Sequence, residues 1–458
     1  MSRFRESRRL FAARLATIGG SGMCGILPAL ARGDEAVAEP AGGLVAAATA
    51  RDPVAGFERT GSGELAGGRW IAGVLTSQTW QGLRWRHELA LYRPEKLAAR
   101  GPMVLWIDGG TADDLEQQGG GGPPEQVMLL ATVAESAGLP AAVVRQVPFQ
   151  PIDGRFEDDL IAHTFVEFFR TGDAGWPLLV PMVKAAVAAM DAASAEAAEA
   201  WDDDVDSFVV TGASKRGWTT WLTAAADRRV TAIAPMVIDM LDLPRHMRLQ
   251  MESFGGPSDA IRDYTSRSIH TMLDTPRGRE LLALVDPYCY REQIRQPKLI
   301  LLGTNDQYWP LEACGLYFPG LCGDRWLSYV PNATHGLPLD RVLPAVAALG
   351  RHAAGTQLLP RLEWEFACEG PDSCCRLASG REPRQAWLWT ADSASRDFRE
   401  SRWQRQRLEA EAATAAGGVR FAAEIDPPAD GLRAALAECR YRDTGPSYSL
   451  TTGVRVLG

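Results

Sequence analysis

Residues 208–225 read FVVTGASKRGWTTWLTAA, and this stretch narrows what the chain can fold into more than any other. Phe208, Val209 and Val210 form a short apolar run suited to a buried strand. Gly212-Ala213-Ser214 turns the chain sharply, and beyond it Trp218, Trp221, Leu222 and Ala225 share one helix face. A serine on such a turn is lifted clear of the sheet, with the backbone N–H of Lys215 pointing into the same space. An acyl-transfer nucleophile needs both an exposed hydroxyl and a donor for the oxyanion. The plainer alternative is a serine that only caps a helix. The motif also departs from G-x-S-x-G, because Arg216 follows two places after the serine and glycine returns only at Gly217. A side chain at 216 crowds a tight elbow and predicts a slightly opened turn.

The flanking text alternates strand and helix. Trp70-Ile71-Ala72-Gly73-Val74-Leu75 and Arg86-His87-Glu88-Leu89-Ala90-Leu91-Tyr92 predict antiparallel opening strands. The continuous apolar run 102–107 reads as a buried parallel strand, and 141–147, 232–238, 297–303 and 326–330 read as further strands. Phe165, Phe168 and Phe169 lie at helical spacing and are assigned to the core. Residues 181–200 predict a long helix before the serine strand, and the insertion 240–296 suits a helical cap. A glycine run at 119–122 marks a surface loop. Together these predict an α/β domain with a mostly parallel sheet over 61–357. Beyond Pro360 short alternating runs such as Ala386-Trp387-Leu388-Trp389 predict a small all-β, sandwich-like domain over 358–458.

The amino terminus reads as an export signal over residues 1–31. Ser7-Arg8-Arg9-Leu10-Phe11 places paired arginines before a modestly apolar run, and Ala29-Leu30-Ala31 offers small residues for cleavage. The arrangement resembles a twin-arginine signal and implies a periplasmic or secreted protein. Residues 32–60, rich in Ala, Gly and Glu, read as a flexible lead-in. Losing residues 1–31 removes five arginines and one glutamate and moves the formal charge from −9 to −13. An acidic chain without basic clusters excludes generic attraction to nucleic acid or anionic lipid, and no stable membrane insertion is expected after the signal. Seven cysteines follow Cys24, and an oxidising compartment permits disulfides among them. They lack Cys-x-x-Cys pairs and histidine partners, which argues against a metal site.

Ser214, Asp306 and His335 occur in the order nucleophile, acid, base, each directly after an apolar strand. In that role the imidazole takes the serine proton and the carboxylate holds its tautomer. Asp239, at the preceding strand end, is the alternative acid. The glycine-containing loop Asp108-Gly109-Gly110-Thr111 can supply a second oxyanion N–H, from Gly110 or Thr111, beside that of Lys215. Lys215 and Trp309 are the expected substrate contacts.

The segments WPLLVPMVKAAVAAMDA, GASKRGWTTWLTAAADRRV, APMVID, ESFGG, PKLILLGTNDQYW and YVPNATHGL resemble the PhoPQ-activated pathogenicity-related protein family. The resemblance runs from about Phe57 to the last strands and takes in WTADSASRDFRESRW. It implies an exported protein of α/β-hydrolase type with Ser214, Asp306 and His335 at the triad positions. Lys215 and Arg216 are also similar to the G-C-S-R-x-G elbow of glucuronoyl esterases, where a cation could steady an oxyanion or a uronate carboxylate. For Arg216 the favoured role is pairing with nearby carboxylates. The expected activity is hydrolysis of a small-molecule or cell-envelope ester, with an amide as the lesser alternative, through an acyl-enzyme and without a cofactor. The rival expectation is a non-catalytic binding or envelope-protective protein on a hydrolase scaffold.

Overall fold

The computed structural model describes residues 43–98, 100–116, 124–369, 372–413, 418–428 and 430–458. The expected export signal, the lead-in as far as residue 42 and the glycine run at 119–122 lie outside the described residues. Three antiparallel strands open the chain: β1 (Gly56–Leu65), β2 (Gly68–Trp80) and β3 (Leu83–Arg93). Both hairpins turn on two residues with positive φ, Ala66-Gly67 and Gln81-Gly82, the pairing that suits the right-handed twist of the flanking strands. The lead-in expected as far as residue 60 therefore ends earlier. A short helix, Gly43–Thr49, buries Leu44 and Ala48. The β1 strand is mostly exposed and poor in apolar residues, which is why its sequence reads as loop. Gly61 and Gly63 leave room there for the Trp70 ring, which lies 3.1–3.2 Å from where their Cβ atoms would be.

The centre of the sheet is parallel. It holds β4 (Met103–Ile107), β5 (Ala141–Val144), β6 (Phe208–Ala213), β7 (Val230–Met236), β8 (Lys298–Gly303) and β9 (Arg325–Val330), in the spatial order β3-β5-β4-β6-β7-β8-β9. Each is almost wholly buried, as the mostly apolar runs require of strands covered on both faces. Lys298 obeys this by burying its stem while its Nζ donates to the Cys322 carbonyl. The strand order and helical crossovers are those of an α/β-hydrolase sheet. Helices Glu125–Ala137, Leu179–Trp201, Lys215–Ala226 and Leu339–Ala353 pack against it. Between β7 and β8 the helices Leu243–Phe254, Ile269–Met272 and Pro276–Val285 form the cap.

The carboxyl-terminal region is all antiparallel β, and part of it continues the main sheet. There, β17 (Tyr448–Thr451) joins β9 through Thr451 and Leu327, followed by β16 (Leu432–Tyr441), β12 (Gln385–Ser393) and β13 (Gln404–Arg407). A short strand, β18 (Arg455–Leu457), also pairs with β16. The strands β10 (Leu362–Glu369), β11 (Asp372–Ser379), β15 (Val419–Ile425) and β14 (Ala410–Ala413) make a separate four-stranded sheet. Cys289, Cys322, Cys375 and Cys439 carry free thiols, so none of these four takes part in a disulfide. Among the described residues, no helix is long and apolar enough to cross a membrane.

Candidate active site

Parallel strands put their carboxyl ends at one edge, so the loops after β4, β6, β7, β8 and β9 meet there. Ser214 follows β6 at φ 58° and ψ −125°, a conformation that non-glycine residues rarely adopt and that clusters at functional turns. Its N–H donates to the Met236 carbonyl at 2.8 Å, and its carbonyl accepts from Trp218 N–H at 3.0 Å as the helix begins. The turn is tight, not opened. A Cβ on Gly212 would fall 2.9 Å from the Cβ of Arg216, so glycine at 212 makes the room that the arginine uses. Gly217 serves the other side, since its Cβ would lie 2.8 Å from the Met236 carbonyl.

Asp306 and His335 come together. The His335 Nδ1 lies 2.8 Å from Asp306 Oδ2 and 3.0 Å from Oδ1. Three bonds tie the two loops to each other: Asn305 N–H to the Ala333 carbonyl, Asn332 N–H to Thr304 Oγ1, and His335 N–H to Gln307 Oε1. Gly303 permits the approach, because a Cβ there would sit 2.4–2.5 Å from the Thr334 and Ala333 carbonyls. The Asp306 carboxylate also accepts from Tyr308 N–H at 2.9 Å. That leaves His335 Nε2 as the nitrogen for a reacting proton, and among the described residues it has no hydrogen-bond partner. No hydrogen bond joins it to Ser214, and the Tyr308 ring lies on the imidazole with centroids 4.2 Å apart.

Two cations flank the serine and both are paired. Arg216 reaches sideways over Gly109, donates to the Val147 carbonyl and grips both oxygens of Glu157 at 2.7 and 2.8 Å. Lys215, buried, places Nζ 2.8 Å from Glu157 and 3.1 Å from Asp158. The expected pairing of Arg216 with carboxylates is therefore met, and Lys215 has its own counter-ions. Burial alone would raise the Glu157 carboxyl, but the Arg216 and Lys215 charges overcome it and hold the group down at about 2.

The loop after β4 needs correction as an oxyanion donor. Thr111 N–H donates to Asp114 Oδ2 at 2.7 Å, so it is already committed and only the Gly110 N–H remains of that pair. Asp239, the alternative acid, lies buried behind Asp306. Burial pushes its carboxyl up to about 8, with the Asp306 charge adding to the push against the Tyr317 hydroxyl. A carboxyl held neutral near pH 7 is a poor partner for an imidazolium, and Asp306 occupies the place on His335 instead. Because the folded state keeps this proton and the unfolded state loses it above 3.8, Asp239 costs stability as pH rises from about 4 to about 8. Asp239→Asn is accordingly expected to retain activity within about tenfold. Its melting temperature should gain on the unmodified protein between pH 4 and pH 8, which a thermal melt series reads directly. A gain independent of pH would refute the buried proton.

A mostly apolar cavity, with Ser214 among its lining residues, lies under the cap. Trp309 lines it and is fixed by its Nε1–H donating to the Val237 carbonyl at 3.0 Å. Sequence reasoning missed Glu157, Tyr308, Asn305 and Asn332. Asn305 Nδ2 donates to the carbonyls of Arg399 (3.0 Å) and Ser401 (2.7 Å), and the Asn332 side chain both donates to and accepts from the backbone of Trp403. The carboxyl-terminal region thus braces both loops that carry the Asp–His pair. The segment WTADSASRDFRESRW was the available signal, though it does not show what it holds.

A family description, PhoPQ-activated pathogenicity-related protein, matches residues 46–399. The match starts before Phe57 and stops short of the last strands. The autocrine proliferation repressor protein A of Dictyostelium discoideum is 31% identical over 350 residues, covering 71% of this chain and 69% of the relative. Among solved structures, an acetyl xylan esterase from Paenibacillus sp. R4 is 14% identical with a TM-score of 0.45, over 65% of this chain and 88% of its own. A glucuronoyl esterase from Solibacter usitatus is 14% identical with a TM-score of 0.38, over 72% of this chain and 98% of its own.

Proposed function

The chain belongs to the PhoPQ-activated pathogenicity-related protein family, and from that premise we propose that it is an exported, periplasmic serine hydrolase that cleaves an ester, with an amide as the lesser alternative. The Ser214 hydroxyl adds to the carbonyl carbon while its proton passes to His335 Nε2. The oxyanion is received by the N–H groups of Lys215 and Gly110. As the intermediate collapses the carbon–oxygen bond to the alcohol breaks, and the imidazolium, steadied by Asp306, gives its proton to the leaving oxygen. Water then releases the acid from Ser214 by the same steps in reverse.

One observation carries this reading: an Asp306–His335 pair stands on loops at the same sheet edge as a serine held at φ 58°. The His335 ring has yet to meet the serine hydroxyl, and catalytic hydrogen bonds in unliganded enzymes are often long before substrate tightens them. A fluorophosphonate probe should form a single adduct, mapped by peptide mass spectrometry to Ser214. An adduct elsewhere would remove Ser214 from the nucleophile role.

A second reading, a ligand-binding or envelope-protective protein that keeps the scaffold without turnover, is favoured by the Tyr308 ring lying on His335 and by the missing Ser214–His335 bond. The name of the Dictyostelium relative, a proliferation repressor, leans the same way. Absence of any adduct, with ligand binding retained, would select it.

A further inference from the structure

We propose that the acyl part of the substrate is an uncharged aliphatic chain, seated in the cavity beneath the cap; this rests on the serine-hydrolase reading above. Ser214 and the cap side chains line one space, and small-molecule sites are concave and mostly apolar with few polar groups. An acyl group joined to the Ser214 oxygen therefore has the cavity beside it. Its walls are mostly apolar, with Trp218 and Phe165 joined by Ile269, Leu273, Leu281 and Val285 from the cap.

The lysine and arginine near the wall are already paired, which disfavours a charged acyl group, while His246 Nδ1 and His270 Nδ1, also on lining residues, carry no hydrogen bond among the described residues. Lys215 is the single lysine or arginine among the lining residues, and Glu157 and Asp158 hold it. Asp158 in turn accepts from the Tyr264 hydroxyl at 2.9 Å. Arg216, the other cation of the elbow, is taken by Glu157 and does not line the cavity.

His246 also lines the cavity, and the hydrogen bonds around it fix its state. Ser258 N–H donates to Gln250 Oε1, so the Gln250 amide nitrogen faces His246 Nε2 at 3.0 Å and the Tyr308 carbonyl at 3.0 Å. The imidazole must therefore accept at Nε2, which makes it neutral, and burial pushes its pKa down to about 3. A carboxylate on the acyl group, such as that of a uronate, would enter this space with no unpaired lysine or arginine among the lining residues to meet it.

The test compares p-nitrophenyl acetate, butyrate and octanoate on the full chain. Each buried methylene is worth roughly a fourfold gain in binding, so kcat/KM for octanoate should exceed that for acetate by about 100-fold or more. Leu273→Trp, which fills the cavity from the cap, should cut that ratio at least about tenfold, with Ile269→Phe as a second filling variant. Acetate turned over as well as octanoate, or a ratio unmoved in a folded filling variant, would overturn the proposal. If the phosphonate leaves no adduct and no ester is cleaved, the serine-hydrolase reading has failed by itself. Calorimetric titration with 1-octanol, an uncharged chain, then decides the cavity: binding weakened by Leu273→Trp supports an aliphatic occupant, and no binding by the unmodified protein rules it out.

Discussion

Ser214→Ala is expected to lower kcat on a p-nitrophenyl ester by about 10⁴-fold or more while leaving the fold intact. Alanine at 214 carries the same strained φ of 58° as serine, so the turn neither relaxes nor tightens. The hydroxyl itself makes no hydrogen bond that the surrounding backbone depends on, since the turn is held by Ser214 N–H and its carbonyl. Asp306→Asn should fall by a similar factor for a different reason. An amide at 306 offers an N–H as readily as an oxygen to His335 Nδ1, which favours the tautomer that cannot take the serine proton. The double variant Ser214→Ala/Asp306→Asn should be no slower than Ser214→Ala alone, because the two groups act on one proton path. Losses that multiply in the double variant would show that Asp306 acts elsewhere, and Ser214→Ala with near-normal turnover would end the hydrolase reading. Steady-state kinetics with melting curves as the folding control separate these outcomes.

The sheet and the order of the site residues were legible because buried parallel strands leave mostly apolar runs, as at 208–210, 297–303 and 326–330. Ser214, Asp306 and His335 each follow one of these strands, so the parallel direction alone sends them to one edge. The pairing of Asp306 with His335 also left a trace, Gly303, where only a missing Cβ lets the Ala333 and Thr334 carbonyls come close. What escaped the sequence is what depends on side chains meeting across distant segments. Glu157 stands 58 residues before Lys215 in an acidic run that reads as a solvated helix start, and nothing local says that it faces two cations. β1 escaped because an edge strand with glycines carries no apolar alternation. The carboxyl-terminal strands were recognisable as β, but their continuation of the main sheet rests on a single pairing, Thr451 with Leu327. Asn305 and Asn332 look like turn residues, and their side chains in fact bind the backbone of 398–403, joining the site loops to that extension.

Glu157→Gln is expected to destabilise the folded chain by about 3 kcal/mol at pH 7, read by chemical denaturation. Three groups lose their counter-charge or partner together. Arg216 keeps only the Val147 carbonyl, Lys215 keeps only Asp158, and the Gln150 amide loses a carboxylate oxygen. Removing one partner from buried charges usually costs 3–5 kcal/mol; the low end applies because the Glu157 side chain is itself 38% exposed. Glu157 also sits at φ 50°, a strained position that these bonds hold in place. The pH dependence separates this account from simple loss of packing. The folded state lowers the carboxyl from 4.5 to about 2, so the stabilisation is complete above 4.5 and disappears as pH falls through 2. The gap between the unmodified protein and Glu157→Gln should therefore be constant from pH 7 to about 5 and shrink steadily towards pH 2. A gap of the same size throughout would mean that the carboxylate charge does not hold the elbow cations. Because Lys215 and Arg216 directly follow the nucleophile, the same variant should also slow ester cleavage while Ser214 remains reactive to the phosphonate, a split expected when a group holds the turn without touching the substrate.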